Sequence, residues 1–126
     1  MAKILIVDDS PTARKLMVHT LRPKGHECIE ASDGFDALEK MVLHPDVELI
    51  ITDLNMPNMD GMELIKEIRK NIEYRDLPII MLTSENDSQN RRKVMQAGAD
   101  LYMVKPSPSH IILYKVESLL GADVDK

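Results

Sequence analysis

The sequence predicts an α/β fold, a doubly wound parallel sheet with helices on both faces. Three observations carry that expectation. Five short aliphatic runs alternate strictly with five segments of helical periodicity, the pattern of parallel strands joined by helical crossovers. The runs at 3–7, 49–51 and 78–82 are apolar at nearly every position, as strands covered on both faces require. Pro11, Gly25, Pro45 and Gly98 fall at the joints between elements, where chain-breaking residues belong.

Lys3-Ile4-Leu5-Ile6-Val7 forms the first strand, and Asp8-Asp9-Ser10-Pro11 opens the first helix with Pro11 in its first turn. Ala13, Leu16, Met17, Thr20 and Leu21 recur at helical spacing and form its expected inner stripe. After Gly25, residues 26–31 make a second, weaker strand. Phe35, Leu38, Met41 and Val42 mark the second helix, which stops before Pro45 because the residue ahead of a proline is pushed out of helical geometry. Residues 49–51 form the third strand, ending at Thr52 and Asp53. The loop 54–61 leads to the third helix, with Leu64, Ile65, Ile68 and Ile72 facing inward.

Residues 78–82 form the fourth strand, which ends at Thr83. Polar residues Ser84 to Asn90 open the fourth helix, which uses Val94, Met95 and Ala97 and ends near Gly98. Residues 101–104 are the fifth strand. Lys105-Pro106-Ser107-Pro108 then turns into the fifth helix, with Ser107 expected as its N-cap and Pro108 as its first residue. Ile112, Leu113, Val116, Leu119 and Leu120 face inward from it.

At 126 residues the chain is expected to be a single domain, 1–126, with its core at about 3–120 and a short polar tail, 121–126. Hydrophobic residues are 44% of the chain but aromatics only 3%, so the core is aliphatic and the 9 methionines help to fill it. A formal charge of −5 disfavours nucleic-acid binding. The single cysteine, Cys28, leaves no intramolecular disulfide and no thiolate metal cluster, and is expected to pack in the second strand. No apolar run approaches the ~20 residues of a membrane span, and Met1-Ala2-Lys3 leads straight into a strand. The expectation is a cytoplasmic monomer bound neither to membrane nor to nucleic acid. His19, His26, His44 and His110 lack metal-ligand spacing and read as incidental, and Arg91-Arg92-Lys93 reads as a solvated helix face.

In such a sheet, ligands sit beyond the C-terminal ends of the strands. There the chain places Asp8 and Asp9, then Asp53, Thr83 and Lys105. Polar residues commonly end strands, yet three carboxylates and a lysine on one rim are more than loops need. Ionised carboxylates about 4 Å apart repel by ~4 kcal/mol per pair at an effective dielectric of about 20. Such a cluster awaits a cation, and hard oxygen ligands without His or Cys indicate Mg²⁺. Three carboxylates, Lys105 and a divalent ion sum to zero charge, leaving the site ready for one further anion.

Taken together, Val7-Asp8-Asp9-Ser10, Asp53-Leu54-Asn55-Met56-Pro57, Asp60-Gly61, Thr83, Tyr102 and Lys105-Pro106 resemble the receiver domains of bacterial two-component signalling, of the CheY-like single-domain type. The resemblance runs from residue 3 to about residue 120. It implies a flavodoxin-like strand order of 2-1-3-4-5 and a phosphoacceptor at Asp53. It implies Mg²⁺ held by Asp9, Asp53 and the backbone carbonyl of Asn55, with Asp8 acting through a water. It gives Lys105 a phosphoryl oxygen, with a cis peptide before Pro106, and gives Thr83 another. Thr83 and Tyr102 become the switch, biasing a face built of helix four, strand five and helix five toward an output protein. Asn55 and Glu85 become the residues that tune hydrolysis. The implied phosphodonor is a sensor histidine kinase or a phosphotransfer protein, and the only chemistry is the domain's own phosphorylation and dephosphorylation.

Two positions depart from the family pattern: Ser84 stands where alanine is common, and Ser107-Pro108 replaces the usual aromatic after Lys-Pro. The alternative within the family is a receiver excised from a longer response regulator or a hybrid kinase. A Mg²⁺-dependent phosphatase of the haloacid dehalogenase type also uses a strand-end aspartate, but its second aspartate falls where Asn55 stands. An FMN carrier needs a phosphate-cradling loop after strand one, where Asp8-Asp9 would repel phosphate. Crowded carboxylates also lead to the expectation that metal-free Asp53→Ala is more stable than the parent.

Overall fold

Residues 2–121 are described in a computed structural model of the chain. The elements run β1 (Lys3–Val7), α1 (Pro11–Leu21), β2 (Glu27–Ala31), α2 (Gly34–Leu43), β3 (Leu49–Thr52), α3 (Gly61–Lys70), β4 (Ile79–Thr83), α4 (Ser88–Ala97), β5 (Leu101–Val104) and α5 (Ser109–Leu120). Short 3₁₀ turns at Arg22–Lys24 and Ile72–Tyr74 follow α1 and α3. All pairings are parallel and the order is β2-β1-β3-β4-β5, the doubly wound order the resemblance implies. The expected polar tail beyond Gly121 lies outside the described residues.

Because side chains alternate across a strand, the sheet divides its aliphatic residues between two layers. Leu5, Val7, Ile50, Ile79 and Met81 meet Ala37 and Met41 of α2, Leu64, Ile65 and Ile68 of α3, and Val94 of α4. Ile4, Ile6, Leu49, Ile51, Ile80 and Leu82 meet Met17, Val18 and Leu21 of α1 and Ile112 and Val116 of α5. Burying each such side chain contributes about 1.5–3 kcal/mol. Cys28 sits half-buried on β2 against the second layer, as expected.

Helix starts follow local chemistry. Ser10 caps α1 by accepting from the Ala13 N–H, with Pro11 behind it, and Asp33 caps α2 through the Asp36 N–H. Asp60 and Glu63 form a reciprocal capping box at α3. Asp87 caps α4, so Ser84 to Asn90 is a connecting loop as far as residue 87 and helix only from Ser88.

Several expectations are corrected. Ser107 does not cap α5: its hydroxyl turns back to donate to the Val104 carbonyl at 2.8 Å, and Pro108 takes the cap position. A hydroxyl used as donor to close the turn cannot serve the helix N-terminus. Leu16 is 65% exposed while its neighbour but one, Val18, is buried, because the stripe of α1 that meets the sheet is Met17, Val18 and Leu21. On α2 the buried positions are Gly34, Ala37 and Met41, which leaves Phe35 (56% exposed) and Val42 (77%) facing outward. Ile72 lies past the end of α3, exposed on the 3₁₀ turn, and Met95 is also exposed. His26 is not incidental: it is buried, its Nδ1 accepting from the Ala2 N–H at 3.3 Å and its Nε2 facing the Glu117 carboxylate at 3.3 Å. Among the described residues, no helix is long and apolar enough to cross a membrane.

Candidate functional site

Strand register brings the rim residues level. Val7 pairs with Thr52, and Thr83 with Val104, so the residues that follow these strands emerge at one edge of the sheet. The ladder continues one bond further at each end: Asp53 N–H donates to the Val7 carbonyl (2.8 Å), Asp8 N–H to Ala31 (3.1 Å) and Lys105 N–H to Thr83 (2.8 Å). The backbones of all three charged residues are thus fixed before their side chains are considered.

Asp8, Asp9 and Asp53 each offer a carboxylate oxygen, and these lie within 4.8 Å of one another. Asp8 is buried; its Oδ1 accepts from the Ser10 N–H (2.9 Å) and its Oδ2 from the Lys105 ammonium (2.7 Å). Asp53 Oδ1 accepts from the Leu54 N–H (2.7 Å), and Oδ2 stands 3.5 Å from Lys105 Nζ. Asp9 is exposed, and among the described residues its carboxylate has no hydrogen-bond partner. Burial pulls the Lys105 pKa down, but the Asp8 hydrogen bond and the Asp53 charge outweigh it, so the ammonium is held above its ordinary range. Three hard carboxylates without His or Cys suit Mg²⁺, and the Lys105–Pro106 peptide is cis, as the resemblance implies.

A second chain of contacts leads away from the rim. Thr83 is buried at the end of β4, and its Oγ accepts from the Glu85 N–H at 3.3 Å. The Glu85 carbonyl in turn accepts from the Tyr102 hydroxyl at 2.7 Å. Tyr102 is buried as part of the first layer, with the Arg91 guanidinium 5.5 Å from its ring centroid. Arg91 is thereby tied to this ring, which a purely solvated reading of the basic run omits. Asn55 is exposed on the β3–α3 loop and Glu85 is half-buried.

The structure adds residues that the sequence reading left unused. Arg14 on α1 donates from Nη1 to the Asp8 carbonyl at 2.6 Å and from Nε to Glu30 on β2 at 3.1 Å. Gly61 is packed so tightly beneath the site that a Cβ there would lie 2.1 Å from the Asp53 carbonyl oxygen. Asp60-Gly61 was legible as a motif; Arg14 carried only the weak signal of an arginine beside the inner stripe of its helix.

A doubly wound sheet with three carboxylates, a lysine and a threonine at its strand ends is the arrangement that the resemblance to receiver domains implies. The comparisons narrow it. Residues 4–117 match the model of the response regulator receiver domain. A chemotaxis protein CheY homolog of Campylobacter jejuni is 40% identical over 120 residues, covering 94% of this chain and 92% of the relative. Chemotaxis protein CheY1 of Helicobacter pylori is 38% identical over 122 residues, covering 96% and 98%. The solved structure of Vibrio cholerae chemotaxis protein CheY4 aligns with a TM-score of 0.88 at 37% identity, covering 94% of this chain and 98% of that one. The chain belongs to the response regulator receiver domain family, and is a single receiver domain similar to the CheY chemotaxis response regulators. Receiver domains are signalling modules that bind Mg²⁺ at an acidic pocket and act between histidine kinases or phosphotransfer proteins and downstream effectors.

Proposed function

We propose that Asp53 accepts a phosphoryl group from a phosphohistidine on a kinase or phosphotransfer partner, and that the acyl phosphate switches a partner-binding face. The observation that carries this reading is the convergence of Asp8, Asp9 and Asp53 within 4.8 Å, with Lys105 reaching two of them. An Asp53 carboxylate oxygen attacks phosphorus, the P–N bond breaks, and its electron pair leaves with the imidazole nitrogen. Asp9, Asp53 and the Asn55 carbonyl would hold Mg²⁺, with Asp8 engaged through a water. When bound, that ion neutralises charge on the transferring group and aligns it for in-line displacement.

The chain's own residues do the rest. Lys105, released in part from Asp8, pairs with one phosphoryl oxygen, and the Thr83 hydroxyl donates to another. Moving Thr83 disturbs its contact with Glu85, and through the Glu85 carbonyl the position of Tyr102. This biases the face of α4, β5 and α5 toward its output protein as a shift between two packings. Asn55 and Glu85, two residues beyond Asp53 and Thr83, tune access of the hydrolytic water. The domain acts as one unit over residues 1–126, in the cytoplasm, as a monomer whose only chemistry is its own phosphorylation and dephosphorylation. The chemotaxis names of its relatives favour motility control as the pathway.

The test is intact-mass spectrometry after incubation with acetyl phosphate, with and without Mg²⁺, on the parent and Asp53→Asn. A Mg²⁺-dependent gain of one phosphoryl group, absent in Asp53→Asn, is expected. Absence of any adduct, together with failure to bind beryllofluoride, would leave a receiver fold that signals without phosphate.

A further inference from the structure

We propose that Arg14 is a positioning residue for the metal site, holding the Asp8–Asp9 peptide so that the Asp9 carboxylate faces the cation. This rests on the Mg²⁺ reading above and names a residue outside the acidic cluster.

Asp8 is fixed at every polar atom. Its N–H donates to the Ala31 carbonyl, its Oδ1 accepts from Ser10, its Oδ2 from Lys105, and its carbonyl from Arg14 at 2.6 Å. Asp9 carries no side-chain partner among the described residues, so its aim depends on the peptide plane that precedes it. That plane is set by the Asp8 carbonyl, and Arg14 is the group that holds it. Arg14 is itself aimed, since its Nε donates to Glu30 Oε1 at 3.1 Å and its side chain is only 17% exposed. Glu30 precedes Ala31, whose carbonyl takes the Asp8 N–H. One end of β2 therefore clamps both peptides that flank Asp8. A planar guanidinium presents Nε to the carboxylate and Nη1 to the carbonyl from two nitrogens held in one fixed plane, whereas a lysine would have to reach both from a single nitrogen on a flexible stem.

Charge and geometry make opposite predictions, which gives the proposal its test. Removing a cation beside three carboxylates makes the pocket more negative and tightens Mg²⁺ if charge alone matters. Freeing the Asp8–Asp9 peptide loosens Mg²⁺ by about tenfold, the scale on which outer-shell partners act. Isothermal titration of Mg²⁺ into the metal-free parent, Arg14→Met, Arg14→Lys and Lys15→Met separates these. Lys15 bonds the other oxygen of Glu30 at 2.9 Å without touching Asp8, so Lys15→Met removes a nearby charge and leaves the clamp.

The expected result is weaker Mg²⁺ binding in both Arg14 variants, with Lys15→Met equal to the parent or tighter. Urea midpoints without metal check that each variant is folded, and Arg14→Lys stands if Arg14→Met is not. At saturating Mg²⁺ the rate of phosphorylation by acetyl phosphate should return to the parent's. Unchanged or tighter binding in Arg14→Lys, or equal weakening in Lys15→Met, would overturn the assignment. A parent that binds no Mg²⁺ would instead overturn the metal reading on which it rests.

Discussion

Lys105 Nζ lies 2.7 Å from Asp8 and 3.5 Å from Asp53, closer to Asp8 than to the carboxylate proposed to carry the phosphoryl group. That asymmetry leaves Asp53 the less tightly paired of the two while both stay within 4 Å of a counter-charge. Although burial opposes it, the two carboxylates hold the Lys105 pKa above its ordinary value. A raised pKa in the folded state means that its stabilisation is complete below the unfolded value, about 10.4, and is lost as pH climbs through the folded one.

Lys105→Ala should therefore destabilise the metal-free protein at neutral pH, by about 1–2 kcal/mol, because three carboxylates lose their counter-charge. The deficit should shrink when Mg²⁺ is added and when pH falls through the carboxylate range. Urea denaturation under the three conditions measures it; a deficit indifferent to both would mean that lost packing, not lost charge, is responsible.

For Asp53 the geometry refines the expectation taken from sequence. Asp53→Ala relieves repulsion, but it also removes the acceptor of the Leu54 N–H at 2.7 Å. Asp53→Asn removes the charge and keeps that acceptor. Without metal, Asp53→Asn should exceed the parent by about 1 kcal/mol, with Asp53→Ala below it. Thermal melts in chelator give the order directly, and Asn falling below the parent would show that the pocket is not strained by its charges.

Gly61 and Gly34 offer a controlled contrast. A Cβ at Gly61 meets backbone, the Asp53 carbonyl oxygen at 2.1 Å and Leu54 Cα at 3.0 Å, whereas one at Gly34 meets only the Met59 side chain. Backbone cannot yield without moving Asp53, so Gly61→Ala should cost about 2–3 kcal/mol and slow phosphorylation, while Gly34→Ala costs less as the methionine swings aside. Equal effects of the two on phosphorylation would disconnect Gly61 from the site.

The strand-end residues were legible because register follows from pattern. Once β1 and β3 pair with Val7 opposite Thr52, Asp53 follows beside Asp8, and once β4 and β5 pair with Thr83 opposite Val104, Lys105 follows at the same edge. Arg14 was not legible, because one of its partners is a backbone carbonyl, which has no signature in sequence, and the other, Glu30, lies 16 residues away. His26 escaped for a related reason: Ala2 and Glu117 lie 24 and 91 residues away. Leu16, Phe35 and Val42 show the limit of periodicity. Where apolar residues spread over more than half a helix, spacing does not say which edge is buried, and on α2 that edge is Gly34, Ala37 and Met41. Ser107 had a good cap sequence and a nearer use for its hydroxyl.

Glu30 joins the Asp8–Asp9 segment to the acid sensitivity of the fold. Its pKa is lowered chiefly by the Lys15 hydrogen bond and further by Arg14, with burial opposing. A depressed carboxylate pKa contributes stability that is present above the unfolded value, about 4.3, and lost as pH falls through the folded one. Glu30→Gln should therefore flatten the loss of stability between about pH 5 and pH 3, read as the urea midpoint against pH. Because Lys15 contributes most to the depression, Lys15→Met should reproduce most of that flattening while leaving Mg²⁺ affinity intact. If Lys15→Met instead weakened Mg²⁺ and spared the acid limb, the division of labour between Lys15 and Arg14 would be reversed.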